Sequence, residues 1–262
     1  MPDASQVQPV AFNCEGGLVL NRSTFMMQAG EALELQNFEP DIEGGYRRIS
    51  GFSKYVSAIV PATSSDSEPI LMVATFGDFV LAARGTSIYS ATAGGSSWTS
   101  RDSGRTSASK YRFERFNFDG TDKIVVVDGT NAPTVFNSSL AATDVSESTV
   151  EGSKFIAAFK NHMFYAGKAT TKQTLVYSQS ADEDAFSSGS GTIAVDDTIT
   201  GLKVFRDSLF IFCETRIFKL TGSSNSDFAI TPVTRNIGCI NGDTIQEFAG
   251  VLIFLGPDGL RT

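Results

Sequence analysis

The chain has 262 residues, a formal net charge of -8, 41% apolar residues and 19% charged residues. This composition is ordinary for a globular protein with a sizeable core, and its acidic balance argues against broad attraction to phosphate backbones. No apolar run reaches the roughly 18 residues needed to cross a bilayer, and residues 1–10 lack the basic start and apolar stretch of a secretory signal.

Residues 1–55 form the first segment and carry two glycine pairs, Gly16-Gly17 and Gly44-Gly45, with little strand periodicity. Only residues 28–36 (QAGEALELQ) look capable of forming a helix, and that stretch is short. Two interpretations remain open: an arm that lies across a neighbouring subunit or along its own body, or an irregular strand that closes that body. For the arm, the candidate inter-subunit contacts are Leu18, Leu20, Phe25, Arg47 and Arg48.

Residues 56–262 contain a repeat led by phenylalanine. A Phe, a polar or Gly-containing turn and an apolar strand recur at intervals of 41 to 46 residues, starting near Phe76, Phe118, Phe159, Phe205 and Phe248. In the first four units a second strand follows another short turn, at residues 86–90, 134–136, 174–178 and 216–220. Each unit therefore reads as a hairpin with one or two less regular strands.

A period of about 40–45 residues with about four strands is typical of a β-propeller blade. One small antiparallel sheet cannot bury both of its faces, whereas blades stacked around an axis bury them and shield most edges. We therefore predict an all-β fold, with a β-propeller-like body of repeated antiparallel blades over residues 56–262 and an irregular N-terminal arm. The apolar strands KIVVV, SLFIF and VLIFL are expected to be the inner strands. A β-sandwich would contain similar strands but does not explain the near-equal intervals.

The last unit stops inside its hairpin. The strand VLIFLG and the turn at residues 257–259 are followed only by LRT. A blade cut at this point would leave unpaired strand edges. We therefore expect the chain to be a fragment of a longer polypeptide, or its last blade to be completed by another segment.

Catalytic and metal-binding chemistry has little support in the sequence. His162 is the single histidine, and its strand-forming apolar neighbours favour a half-buried structural role over a triad or a metal site. Cys14, Cys213 and Cys239 are far apart and form no CxxC pair, so we predict neither zinc nor disulfides. We predict no catalytic, cofactor-binding or metal-binding residues.

Two acidic groups, residues 182–184 (DED) and 196–197 (DD), could in principle serve glycoside hydrolysis or bind calcium. Neither has the alternating Asp/Asn/Gly spacing of a calcium loop. Both fall between predicted strands, so we interpret them as solvated turns.

Aromatic and turn motifs leave more than one interpretation. Residues 100–107 (SRDSGRTS) match the sialidase Asp-box, S-x-D-x-G-x-x-W, in its first five positions but have Ser107 in place of the Trp. Because Asp-boxes are turn motifs between strands and are not catalytic, the match favours a propeller rather than an enzyme. Trp98 and residues 111–113 (YRF) could either stack on a ligand or pack in the core.

Several short stretches, spread over most of the chain, together form a pattern found in one group of proteins. The Gly16-Gly17 pair is followed by residues 32–37 and by the basic stretch at residues 44–52 (GGYRRISGF). Later stretches of this pattern are residues 177–178, 182–186, 199–202, 209–212, 217–222, 238–239 and 254–259. Together they resemble bacteriophage tail structural proteins, above all the tail tubular or nozzle proteins of short-tailed phages. In those proteins a segment of the form GG…N…(E)GG…RR.G leads into a propeller-like body.

This resemblance implies a structural virion protein, made in the host cytoplasm and located in the phage tail. It would form a ring of identical subunits, six in nozzles of this kind, beneath the portal and adaptor proteins. The ring would surround packaged DNA and open for ejection, and an acidic channel wall would repel phosphates, so that its proximity to DNA is non-specific. Two other functions remain open: a carbohydrate-binding or sialidase-like propeller that contacts a host receptor, and a non-viral interaction scaffold.

Overall fold

The computed structural model describes residues 15–41 and 44–262, so Cys14 lies outside the described residues. The chain divides into two compact units, Met1–Lys54 and Tyr55–Thr262. Among the described residues, no helix has the length and apolar character required to cross a membrane.

The N-terminal unit contains short strands in two small sheets. β1 pairs in parallel with β2, and β3 pairs antiparallel with β4. Residues 28–36 do not form a helix, because Gly30 has a φ of +90° and the Glu31 amide donates to the Gln28 carbonyl in a turn. The elements of this unit are β1 (Gly17–Leu18), a 3-10 turn (Thr24–Met26), β2 (Glu31–Ala32), β3 (Phe38–Pro40) and β4 (Tyr46–Arg48).

The second unit consists of five antiparallel sheets that follow one another along the chain, each with its strands paired in sequence order. The first sheet contains β5 (Ile70–Phe76), β6 (Phe79–Arg84), β7 (Ser87–Thr92) and β8 (Thr99–Asp102). The second contains β9 (Arg112–Phe116), β10 (Lys123–Val127), β11 (Thr134–Phe136) and β12 (Ala142–Asp144). The third contains β13 (Phe155–Phe159), β14 (His162–Ala166), β15 (Thr174–Tyr177) and β16 (Gly191–Ala194). The fourth contains β17 (Ile199–Phe205), β18 (Ser208–Cys213), β19 (Ile217–Thr221) and β20 (Ala229–Thr234), and the fifth contains β21 (Gln246–Phe248), β22 (Val251–Gly256) and β23 (Gly259–Arg261).

The recurring phenylalanines mark one place in each sheet, the end of the first strand. Phe76, Phe159, Phe205 and Phe248 each occupy this position, and in the second sheet Phe116 occupies it, two residues before Phe118. A two-residue turn follows in four of the sheets, for example at Lys160 and Asn161, where both residues have positive φ. Such turns match the twist of the strands that they join, which fixes the hairpin register.

Each inner sheet buries both of its faces. In β10, Ile124 and Val126 pack against the first sheet, while Val125 and Val127 pack against the third. This alternation follows from the pleat of a strand, and full burial of such side chains stabilises the fold by about 1.5–3 kcal/mol each. The same alternation recurs in β14, where Met163 and Tyr165 face the second sheet and Phe164 and Ala166 face the fourth.

The five sheets are therefore stacked blades, numbered blades 1 to 5 in chain order, and they form a β-propeller-like body as predicted. A β-sandwich has one core between two layers, whereas four separate apolar cores lie between successive blades here. β13 lies between β9 and β17, so the first strands of blades 2, 3 and 4 are neighbours along the axial side of the body.

One expectation about the strands is wrong. The apolar strands KIVVV, SLFIF and VLIFL are β10, β18 and β22, the second strands of their blades rather than the axial ones. In the inner blades a second strand is covered by a strand on each edge and by a blade on each face, as in β10 and β18. In the last blade, β22 buries only alternate residues. The axial strand has one edge with no strand paired to it, and polar side chains are useful there.

Candidate functional site: the axial cleft

A cleft of about 400 Å³ opens along the axial side of the body. Its walls come from β9, β13 and β17 and from a 3-10 turn, Gly242–Thr244, that precedes β21. The site is thus built by residues far apart in sequence. Its charged lining residues are Lys110, Arg112, Glu114, Lys203 and Asp243.

Two glycines allow the 3-10 turn to approach β17. A Cβ atom on Gly201 would lie 2.8 Å from the Gly242 Cα, and one on Gly242 would lie 2.2 Å from the Thr200 carbonyl oxygen. Both distances are shorter than real Cβ contacts, so any side chain at either position would push the turn away. The two glycines therefore place the next residue, Asp243, at the edge of the cleft.

Asp243 joins blade 2 to the turn before β21 through two cations. Lys110 Nζ lies 2.7 Å from Asp243 Oδ2, and Arg112 Nε and Nη2 lie 3.0 and 3.1 Å from Oδ1 and Oδ2. Burial acts to raise the pKa of Asp243, but the hydrogen bonds from Lys110 and Arg112 outweigh it and hold the pKa below its usual value. Asp243 is accordingly a carboxylate at neutral pH.

Side chains of β9 also satisfy the backbone of the neighbouring axial strand. The Ala158 amide donates to Glu114 Oε1 at 3.3 Å, and Arg112 Nη1 donates to the Lys154 carbonyl at 3.4 Å. Burial raises the pKa of Glu114, while the Ala158 amide and the charge of Lys203 act to lower it. Arg112 also lies over the Phe155 ring, 5.0 Å from its centroid.

A second cleft of about 220 Å³ adjoins the first, and both are lined by Phe155 and Gly242. Lys154, Lys172 and Glu214 supply its charges. In the axial clefts, charged residues of blades 2, 3 and 4 meet the turn before β21, which makes these clefts the candidate functional site of the body.

The predicted arm contacts do not lie at this site but in the N-terminal unit, on three different elements. Leu18 is on β1 and is followed closely by Leu20, Phe25 is in the 3-10 turn, and Arg47 and Arg48 are on β4. Leu20 and Phe25 are 77% and 97% exposed. Arg47 pairs with Glu39 at 3.0 Å.

The Asp-box-like stretch lies mostly between strands, as expected of a turn motif, but the burial of one of its arginines was not predicted from the sequence. It covers the end of β8 and the connection from blade 1 to blade 2, and Arg105 is buried within it. Arg105 Nη2 pairs with Asp128 at 2.9 Å, and its Nη1 pairs with Asp102 at 2.6 Å. Burial opposes the charge of Arg105, but the bonds to Asp128 and Asp102 outweigh it and raise the pKa above its usual value.

Of the aromatic and histidine side chains named from the sequence, His162 and Tyr111 are buried in the body and Trp98 is half-buried. His162 is buried, with Nδ1 2.7 Å from the Ser178 carbonyl and its ring against those of Tyr177 and Phe228. Trp98 Nε1 donates to the Ala58 carbonyl, and Tyr111 packs in the core between blades 1 and 2.

The acidic group at residues 182–184 is only partly a solvated turn. Glu183 is buried and pairs with Lys123 at 2.9 Å, and its carbonyl accepts a hydrogen bond from the Tyr165 hydroxyl. A hydrogen bond with Asp182, burial and nearby negative charge raise the pKa of Asp184 to about 6. Residues 196–197 lie in a turn, where Asp196 pairs with Arg216 and Asp197 accepts from the Thr215 amide.

Sequence reasoning missed the axial residues Lys110, Glu114, Lys203 and Asp243. One usable signal was the polar strand RFERF at β9, which stands out beside the apolar strand KIVVV. Within residues 15–41 and 44–262, no group of three or more His, Cys, Asp and Glu side chains is placed to hold a metal ion.

Comparisons with known proteins give the fold a wider setting. No family model and no curated protein matches the chain. The computationally designed protein Ika8 is similar to it, with 10% identity and a TM-score of 0.49 over 78% of this chain and 59% of the other. The N-terminal domain of Nup159 gives 9% identity and a TM-score of 0.43 over 75% and 63% of the two chains.

A chain of a nidogen/laminin complex gives 12% identity and a TM-score of 0.47 over 72% and 73%. The chain therefore spans less than two thirds of Ika8 and of the Nup159 domain. None of these three is a phage tail protein. Because all three TM-scores are below 0.5, the propeller-like architecture rests on the pairing and stacking of this chain's own sheets.

Proposed function

We propose that the protein is a structural subunit that assembles with copies of itself, and that the assembly is a ring of the phage-tail nozzle type. Its work is mechanical rather than enzymatic. The N-terminal unit serves as the arm between subunits, and the blades form the wall around DNA.

The observation that carries this proposal is the exposure of large apolar side chains in the N-terminal unit. Phe25 and Phe52 are 97% and 94% exposed, and Leu20 and Met26 are also largely exposed. Apolar side chains concentrated on one small unit mark a protein-contacting surface. The unit has little apolar core of its own, since none of its described residues is buried.

The nozzle assignment is supported by the sequence resemblance, which rests on the two glycine pairs and the basic stretch after the second pair. In the structure, Gly17, Gly44 and Gly45 have φ of 68°, 98° and 81°. These values fall in the left-handed region that favours glycine, so the backbone conformation at these three positions explains the glycines. Arg47 and Arg48 follow directly on β4.

The assembly is tested by light scattering after size-exclusion chromatography, together with negative-stain electron microscopy. We expect closed rings, six subunits each, in wild type. The double variant Leu20→Ser/Phe25→Ser should shift the population to monomers, whereas the control Ile59→Ser, which changes an exposed residue of the body, should not. Monomers in wild type at every concentration would contradict the proposal.

The alternative of a carbohydrate-binding propeller has a separate test. Glycan-array binding that is lost in Asp182→Asn, together with an absence of rings, would favour it over the structural role. The ion pair between Glu183 and Lys123 counts against a free carboxylate pair at this turn.

A further inference from the structure

The axial clefts differ in charge from the protein as a whole. The chain carries a formal charge of -8, yet the two adjoining clefts are lined by five cationic side chains and only three carboxylates. The cations are Lys110, Arg112, Lys154, Lys172 and Lys203, and the carboxylates are Glu114, Glu214 and Asp243. A cleft with a surplus of cations is unexpected in a protein whose formal net charge is negative.

The ion pairs at the site do not neutralise it. Lys110 and Arg112 share the single carboxylate of Asp243, which leaves one positive charge in surplus. Within the part of the chain that the structure describes, Lys154, Lys172 and Lys203 form no ion pair. Lys203 lies near the Glu114 carboxyl, whose pKa is raised by burial and lowered by the Ala158 amide and by the charge of Lys203.

The walls of the cleft strengthen the effect of these charges. Low-dielectric walls focus the field of lining charges into a concave site and raise the local concentration of counter-ions. Phe155, Ile156 and Leu202 supply apolar parts of the lining. A volume of about 400 Å³ admits a small organic molecule rather than a single ion alone.

We propose that the axial clefts bind a small multivalent oxyanion, a phosphate ester or a polycarboxylate, through Lys203, Lys154 and Lys172. The Asp243 carboxylate positions Lys110 and Arg112 at the rim and leaves their remaining N–H groups for the same ligand. None of the lining residues of this binding site belongs to the N-terminal unit, on whose exposed side chains the proposed assembly depends.

The test is isothermal titration of the full chain with inorganic pyrophosphate and, separately, with citrate, at fixed ionic strength in sodium chloride. Lys203→Gln and Lys154→Gln should each weaken binding about fivefold, the effect of removing one charge from a partly screened site. Lys219→Gln is the matched control. Lys219 is matched to Lys203, because both are half-buried lysines of blade 4 without an ion pair among the described residues, but Lys219 lies on β19 and outside both clefts. Lys154 is exposed, so its variant is compared with wild type alone.

The two probes distinguish between the two classes of ligand. Binding of pyrophosphate alone identifies a phosphate ligand, and binding of citrate alone identifies a carboxylate ligand. Equal loss in Lys219→Gln, or no heat from either probe in wild type at millimolar concentration, would overturn the proposal. Thermal unfolding of each unliganded variant checks that the fold is retained, and ring formation is scored separately so that the two proposals fail independently.

Discussion

Replacing Arg105 by methionine should destabilise the body more than any exposed ion-pair substitution. Arg105 is a buried side chain, 5% exposed, and the Asp128 carboxylate that it pairs with is fully buried. Its guanidinium donates five hydrogen bonds, to Asp128 twice and to Asp102, Thr134 and the Ala132 carbonyl. These bonds fasten the connection after blade 1 to the second and third strands of blade 2.

The magnitude follows from what the substitution leaves behind. Removing one partner of a buried pair costs about 3–5 kcal/mol, because the other charge stays buried without compensation. Asp128 keeps hydrogen bonds from the Thr130 and Asn131 amides and from Asn131 Nδ2. The lower end, about 3 kcal/mol, is therefore expected for Arg105→Met. The exposed pair Arg216–Asp196 provides the control, and Arg216→Met should cost less than about 1 kcal/mol.

The loss of stability in Arg105→Met should also depend on pH. Burial acts to raise the pKa of Asp128, but hydrogen bonds from Asn131, Thr130 and Arg105 outweigh it and lower the pKa. A carboxyl with a lowered pKa stabilises the fold above its unfolded value, and that stabilisation is lost as pH falls through the folded value. The deficit of Arg105→Met should therefore be largest near pH 7 and shrink below about pH 4.

Urea unfolding monitored by fluorescence and circular dichroism measures both effects. The reasoning is refuted if Arg105→Met and Arg216→Met lose similar free energies of unfolding at pH 7. It is also refuted if the deficit of Arg105→Met does not depend on pH. The double variant Arg105→Met/Asp128→Asn should recover part of the loss, since the uncompensated charge is then gone.

Three further predictions concern single positions. Gly242→Ala should lower the free energy of unfolding by about 1–3 kcal/mol in urea titration because its Cβ meets the Thr200 carbonyl, while Gly51→Ala, which meets nothing, should be neutral. Burial raises the pKa of the Cys213 thiol to about 12, so thiol reagents at pH 8 should label it only at the rate of unfolding. The pKa of Asp184 is raised to about 6, so the stability of the fold should fall as pH rises from about 4 to 6. Asp182→Asn removes the main cause of this shift. After allowance for solvent screening, it should raise the melting temperature by about 2–4 °C at pH 7 and leave it unchanged at pH 4.

The repeat could be predicted from the sequence because its signals are local. A phenylalanine, a two-residue turn and an alternating apolar strand all lie within about ten residues, and strand pairing by short turns follows directly from them. The stacking of blades was also accessible, since a strand such as KIVVV with no polar alternation must be covered on both faces.

The axial site was not accessible in the same way. Arg112 and Asp243 are 131 residues apart, and nothing near either one indicates the other. The fourth strands β8, β12, β16 and β20 were also poorly defined from sequence, because their outer position leaves them without a clear apolar pattern. In both cases the decisive constraint is tertiary: which strand lies at the axis and which lies at the rim.

The same constraint explains why charge collects at the axis. The sheet faces that pack against neighbouring blades in this body are apolar. The axial edge of each blade has backbone groups that no strand pairs, and unpaired groups require polar partners. Glu114 supplies such a partner to β13 at Ala158, and Arg112 supplies one to the Lys154 carbonyl just before β13. Both contacts bring charged side chains to the axial cleft. Blade architecture therefore accounts for the presence of charged side chains at the axis. It does not account for the excess of cations over carboxylates there.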